Sequence, residues 1–254
     1  MSVAVVTGAG GDIGQAIAEA MLAAGHQVVL ADVDLASAER AARRFGEEAS
    51  AVHCDITDPQ STTAMAEAAS AVGEVAVLVN NAGGITSPSL QTTDAQHWRM
   101  DLALNLEGAM NCFRALESQL KASKGCVVNI ASVNGLGVFG HPGYSAAKAG
   151  LIHLTRMIAV EYGKFGIRAN AVAPGTVMTK AWNERAAANP RVFDDAKRWY
   201  PLQRVASPAD VASAVRFLAS PEAAAITGVV LPVDCGLTAG QTELAGTFAQ
   251  SADY

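Results

Sequence analysis

Tyr144 and Lys148 stand four residues apart in Gly143-Tyr144-Ser145-Ala146-Ala147-Lys148, so on a helix their side chains share one face. A phenol beside an ammonium can exchange a proton with an oxygen on a reacting carbon. For that its pKa, about 10 when unperturbed, must be brought toward the working pH. A lowering of about two units needs roughly 2.7 kcal/mol of differential interaction, within reach of a close cation in a partly desolvated cleft. Read alone, Tyr144 is equally well a helix-face aromatic. Ser132 follows the apolar run Cys126 to Ala131. It is either a hydrogen-bond donor to an oxygen on which charge develops or a plain turn residue.

A second group of residues suits phosphate. Val3 to Val6 leads into Thr7-Gly8-Ala9-Gly10-Gly11-Asp12-Ile13-Gly14 and then Gln15-Ala16-Ile17-Ala18. Glycines at such a strand-to-helix turn let the backbone approach a pyrophosphate, and the helix amino end adds free N–H groups and a positive dipole end. Asp32 closes the next apolar run, Val28 to Ala31. There an acid accepts hydrogen bonds from the adenosine ribose hydroxyls and repels a 2′-phosphate, which favours NAD(H) over NADP(H). No lysine or arginine lies in the turn or directly after Asp32 to neutralise such a phosphate. The plainer alternatives are a structural glycine turn and an Asp32 or Asp34 that caps the following helix.

Elements to position these groups are legible in outline. Short β-branched runs at Val3 to Thr7, Gln27 to Ala31, Ala51 to Cys54, Val75 to Val79, Cys126 to Ala131, Arg168 to Ala173 and Val229 to Val233 alternate with alanine-rich stretches. That alternation predicts βαβ units and a parallel seven-stranded sheet, its strands apolar on successive positions because helices cover both faces. Asp58-Pro59 and Ser207-Pro208 place a capping side chain before a proline at the first helical position, and Gly25 and Gly163 sit where helices should stop. No repeat or linker divides residues 1–254, so a single domain is expected. Residues 178–204, which hold Pro190 and are rich in aromatic and basic side chains including Trp182, Arg185 and Trp199, interrupt the pattern. They are expected to form a substrate lid, an ordinary surface helix pair being the alternative. The tail at 238–254 carries no readable motif.

Composition narrows the function. A chain that is 50% apolar and 17% charged is folded. Its net charge of −6 and pI near 5.3 offer no basic field for nucleic acid or an anionic membrane surface. No apolar run reaches the roughly 20 residues of a membrane span, and no signal peptide is expected from the residues around Val3. Cys54, Cys112, Cys126 and Cys235 are too scattered for a disulfide framework and are expected to be apolar fillers. The five histidines show no metal-ligand spacing, so no metal is expected, and a cytoplasmic location is.

The motifs together resemble the classical short-chain dehydrogenase/reductase family over residues 2–237. The landmarks occur in order: the glycine turn, Asp55 in Cys54-Asp55-Ile56, Asn80-Asn81-Ala82-Gly83, Asn105, Ser132, the Tyr144 to Lys148 segment, and Pro174-Gly175-Thr176-Val177-Met178-Thr179. The resemblance implies a single-domain Rossmann-type α/β fold, a doubly wound parallel sheet with helices on both faces. It also implies an NAD-dependent oxidoreductase acting on the CH–OH group of a small alcohol, polyol or hydroxy acid, or on a ketone. Asn105, Ser132, Tyr144 and Lys148 would be catalytic, Asn105 through a water that joins Lys148 to solvent. The cofactor would be held by Gly8, Asp12, Ile13, Gly14, Asp32, Asp55, Ile56, Asn81, Ala82, Gly83, Tyr144, Lys148, Pro174, Gly175, Val177 and Thr179. Asp12 stands where the family has its second turn glycine, and no role is carried over to its carboxylate. A homotetramer is implied, with helices around 94–120 and 144–163 at one interface. A 3-oxoacyl thioester reductase and a catalytically silent cofactor-binding scaffold are the alternatives.

Overall fold

The structure is a computed structural model that describes residues 1–180, 182, 189, 191–251 and 253. Seven strands, β1 (Val3–Thr7), β2 (Gln27–Asp32), β3 (Ala49–His53), β4 (Val75–Asn80), β5 (Cys126–Ile130), β6 (Arg168–Pro174) and β7 (Val230–Val233), form one sheet in the order β3-β2-β1-β4-β5-β6-β7. Every pairing is parallel. The helices are α1 (Asp12–Ala23), α2 (Leu35–Phe45), α3 (Pro59–Val72), α4 (Ala95–Leu102), α5 (Gly108–Ser123), α6 (Pro142–Tyr162), α7 (Val192–Lys197), α8 (Pro208–Ala219) and α9 (Thr242–Ala249), with a π-helical turn at Ala103–Glu107.

Alternate residues of each inner strand enter opposite core layers. Ala4 and Val6 of β1 join Ile17 and Met21 of α1 and Val211, Val215 and Leu218 of α8 on one face. Val3 and Val5 join Met65 of α3 and Phe113, Leu116 and Leu120 of α5 on the other. Each such large side chain contributes about 1.5–3 kcal/mol on burial. This two-sided burial is why β1 is apolar at successive positions. The strand order reverses between β1 and β4, and the crevice beyond the carboxyl ends of those strands is where a doubly wound sheet offers a ligand site.

Local signals held at the helix starts. Asp58 accepts from the Gln60 N–H at 2.9 Å, and Ser207 and Asp210 form a reciprocal capping box. One expectation needs correction: β3 begins and ends earlier than the apolar run suggested, which frees Cys54 from the strand. α6 stops where expected, at Tyr162 with Gly163 as its C-cap residue, and the chain continues through a 3₁₀ turn, Gly163–Phe165, and turns at Gly166, whose φ is +83°. No helix among the described residues is long and apolar enough to cross a membrane.

Candidate active site

The turn after β1 is built to leave its backbone bare. Gly8 has φ +63°, and a Cβ there would stand 2.8 Å from the Ala82 Cα; one on Gly14 would collide with the Gly8 carbonyl. Asn81 staples the turn through Nδ2, which donates to Thr7 O at 2.9 Å and Gly8 O at 3.1 Å. The Thr7 hydroxyl oxygen accepts the N–H groups of Asn81 and Ala82, both at 3.0 Å. The resulting cleft, 860 Å³ in volume, is lined by Gly8, Asp12, Ile13, Gly14, Asp32, Asp55, Ile56, Asn81, Ala82, Gly83 and Thr179. A side chain at Gly8 or Gly14 would collide with the backbone and Asn81 amide that hold the turn in this shape, so the residues present fit a dinucleotide whose pyrophosphate lies against the turn and the amino end of α1.

Asp32 forms the far wall. Its Oδ2 accepts the Gly10 N–H at 2.8 Å and its Oδ1 the Asp34 N–H at 2.9 Å. Asp55 is held by the Thr57 hydroxyl and N–H, which keep its carboxyl below the usual carboxylate range. The turn and the positions directly after Asp32 hold no cation, but the next helix brings two to the cleft. Arg40 and Arg44 of α2 line this same cleft, and Arg40 Nη2 donates to Ser37 Oγ at 2.6 Å. Spacing of three and four residues brings Ser37, Arg40 and Arg44 onto the helix face toward the cleft.

Asp12, the family's missing glycine, has a structural partner. Its Oδ2 accepts the Lys180 N–H at 2.6 Å, and the Lys180 ammonium lies 3.8 Å from Oδ1. The carboxylate therefore ties the amino end of α1 to the segment that follows β6.

A second pocket of 610 Å³ opens from the cleft, sharing Ile13, Asn81, Gly83 and Thr179 as walls. Ser132, Tyr144 and Lys148 meet in it, with Pro174, Gly175 and Val177 on the β6 side and Asn134, Phe139 and His141 opposite. Ser132 and the Tyr144 phenol line the same pocket, and the serine hydroxyl favours the ionised phenol. That hydroxyl also lies 3.3 Å from Asn134 Oδ1 as a donor, while Asn134 Nδ2 is engaged with Gly140 O and Ser145 Oγ. Lys148, 3% exposed, donates from Nζ to Ile130 O at 2.7 Å, and Nζ stands 5.5 Å from the Tyr144 ring centre.

Asn105 lies in the π-helical turn and is 1% exposed. Its Nδ2 donates to Gly84 O at 2.8 Å and Asp101 O at 2.9 Å, and its Oδ1 accepts the Gly84 N–H at 3.1 Å. A Cβ on Gly83 would stand 2.7 Å from Asn105 Oδ1 and 3.4 Å from Lys148 Nζ, which places amide and ammonium together against that glycine.

Burial governs protonation in the cofactor-free site. Burial pushes the Tyr144 phenol above its ordinary value, against a smaller lowering by Ser132. Burial also lowers the Lys148 ammonium to about 8. In the protein by itself the lysine does not bring the tyrosine down, because the water that would solvate phenolate and ammonium is excluded.

The segment after β6 is pinned at its base. Val177 and Ala206 form a parallel bridge, and Met178 N donates to Ala206 O at 2.8 Å. Trp182 and Tyr200 line the second pocket. Tyr200 is buried, its hydroxyl donating to Thr176 Oγ1 at 2.8 Å, whereas Trp199 is 43% exposed and carries Arg198 over its ring. Arg185 and Pro190 lie outside the described residues. Sequence reasoning missed Arg40, Arg44, Lys180 and Tyr200; for the arginines, helical spacing was the available signal.

A family model described as enoyl-(acyl carrier protein) reductase matches residues 8–238. The chain is 37% identical over 244 residues to the galactitol 2-dehydrogenase (L-tagatose-forming) of Cereibacter sphaeroides, spanning 92% of this chain and 94% of that one. It is 37% identical over 243 residues to the meso-2,3-butanediol dehydrogenase of Serratia marcescens, spanning 93% and 94%. A solved oxidoreductase of the short chain dehydrogenase/reductase family from Burkholderia thailandensis matches with a TM-score of 0.94 at 42% identity, covering 100% of this chain and 99% of that one. The chain belongs to the short-chain dehydrogenase/reductase family. It is thus an oxidoreductase of a kind that binds a nicotinamide cofactor.

Proposed function

We propose that this protein is an NAD(H)-dependent dehydrogenase that interconverts the carbinol of a small alcohol or polyol and the corresponding carbonyl. The meeting of Ser132, Tyr144 and Lys148 in a pocket that shares its walls with the glycine-turn cleft carries this reading. The names of the galactitol and butanediol dehydrogenases support a hydroxylated substrate.

Ser132 donates a hydrogen bond to the substrate oxygen, and Tyr144 takes or returns that oxygen's proton. Lys148 favours tyrosinate and holds a ribose hydroxyl, while Asn105 keeps the Gly83-Gly84 backbone in place beside it. Gly8, Ile13 and Gly14 flank the pyrophosphate, Asp32, Asp55 and Ile56 the adenosine, and Pro174, Gly175, Val177 and Thr179 the nicotinamide amide. Bound nicotinamide supplies the hydride acceptor or donor and, when oxidised, a positive charge near the phenol. Residues 178–204 act as the lid through Trp182. Exposed apolar side chains on the interface helices, among them Met110, Met157 and Val160, support a homo-oligomer.

Arg40 and Arg44 favour a second reading, use of NADP(H). Titrating the protein with NADH and NADPH by fluorescence decides between the cofactors. Following NADH absorbance over a panel of secondary alcohols, polyols and hydroxy acids tests the activity. Tyr144→Phe is expected to lower turnover by at least about a hundredfold while NADH binding stays within a few-fold. Near-native turnover in that variant would falsify the role given to Tyr144.

A further inference from the structure

Asp101 is a buried acid that the chemistry above does not use. It lies in α4, fully excluded from solvent. Its Oδ1 accepts the Thr86 N–H at 3.1 Å, and its Oδ2 is buried with no hydrogen-bond partner. No cation among the described residues forms an ion pair with it. A carboxylate so placed is costly unless a local field compensates its charge.

The amino end of α6 supplies that field. A Cβ on Gly143 would stand 2.7 Å from Asp101 Oδ2 and 2.9 Å from the Asp101 Cβ, so the carboxylate lies directly against the second residue of α6. That end is otherwise uncapped: His141 makes no side-chain cap bond, and Pro142 brings no N–H. Free first-turn N–H groups and the helix dipole attract an anion there. Tyr144 is the next residue.

We propose that Asp101 is a positioning residue whose ionised carboxylate, seated on the amino end of α6, holds Tyr144 in its phenol form and so sets the pH at which the proton step runs. The inference rests on the reading of Tyr144 as the acid/base. Two opposed charges face the phenol: Asp101 from α4, which adds to burial in pushing it up, and Lys148 from α6. His141 stands at the start of α6, and His97 and Arg99 share α4 with Asp101. Ser132 and Asn134 after β5 bring neutral groups, and residues 84–86 bring backbone.

Replacing the acid by its isosteric amide, Asp101→Asn, removes the charge and keeps the shape. The acid limb of the kcat/KM profile for alcohol oxidation should then move to lower pH by about half to one unit, a three- to tenfold gain on that limb. The Kd for NADH should stay within about twofold. A profile superimposable on that of the wild type in a folded variant overturns the proposal.

Two NMR readouts stand apart from activity. The Tyr144 ¹³Cζ resonance, assigned by its loss in Tyr144→Phe, should titrate lower in Asp101→Asn. If the wild type oxidises no alcohol, the acid/base reading fails, yet this titration still decides the effect of Asp101. If Asp101→Asn does not fold, the Asp101 ¹³Cγ of the wild type decides: an ionised shift at pH 7 supports the proposal, and a protonated one overturns it.

Discussion

Replacing Lys148 with methionine should stabilise the cofactor-free protein at neutral pH while abolishing its chemistry. The ammonium is 3% exposed, and burial lowers it from the usual 10.5 to about 8. At 1.36 kcal/mol per unit, keeping it charged costs the folded state about 3 kcal/mol. Methionine removes that cost and fills a similar volume, but it leaves Ile130 O without its donor at 2.7 Å, a loss of about 1–3 kcal/mol. The net gain at pH 7 is about 1 kcal/mol, or roughly 2–4 °C in Tm for a chain of this size.

The pH dependence is the sharper signature. The unfolded lysine keeps its proton up to about 10.5 and the folded one releases it near 8, so the unfolded state binds more protons between those values. Wild-type stability therefore rises with pH across that window, whereas the penalty is fully present below about 8. Lys148→Met lacks this rise, and its advantage at pH 7 should vanish or reverse by pH 10. Thermal unfolding of both proteins at the two pH values, without cofactor, is the assay. Equal destabilisation of the variant at both would refute the buried-charge argument.

Asp32→Ser alone should raise efficiency with NADP⁺ relative to NAD⁺ by about tenfold or more, because Arg40 already lines the cleft. Adding Arg40→Ala should cancel the gain in an NADPH titration, and an unchanged Kd would remove Arg40 from the phosphate site. Trp182→Ala should raise KM about three- to tenfold with little change in Tm, whereas Trp199→Ala, whose ring faces water, should leave both alone. Steady-state kinetics showing the opposite ranking would move the substrate contact from Trp182 to Trp199.

What the sequence determined by itself is what depends on near neighbours. Runs such as Val3 to Val6 became strands, Asp58-Pro59 and Ser207-Pro208 became helix starts, and Tyr144 and Lys148 share a helix face because a helical period relates residues four apart. The glycine turn was legible for a similar reason, since a strand, three bare positions and a helix follow one another along the chain. Tertiary structure decided what depends on elements that meet only after folding. The Asp12 carboxylate reaches Lys180 across 168 residues, Arg40 and Arg44 line the same cleft as Asp32 only because α2 lies beside it, and Asp101 reaches α6 only through the packing of α4. The same packing sets the protonation of the cofactor-free protein. Spacing brought a cation near Tyr144, but only the folded interior excludes the water that phenolate and ammonium both need, so the phenol is pushed up and the ammonium down.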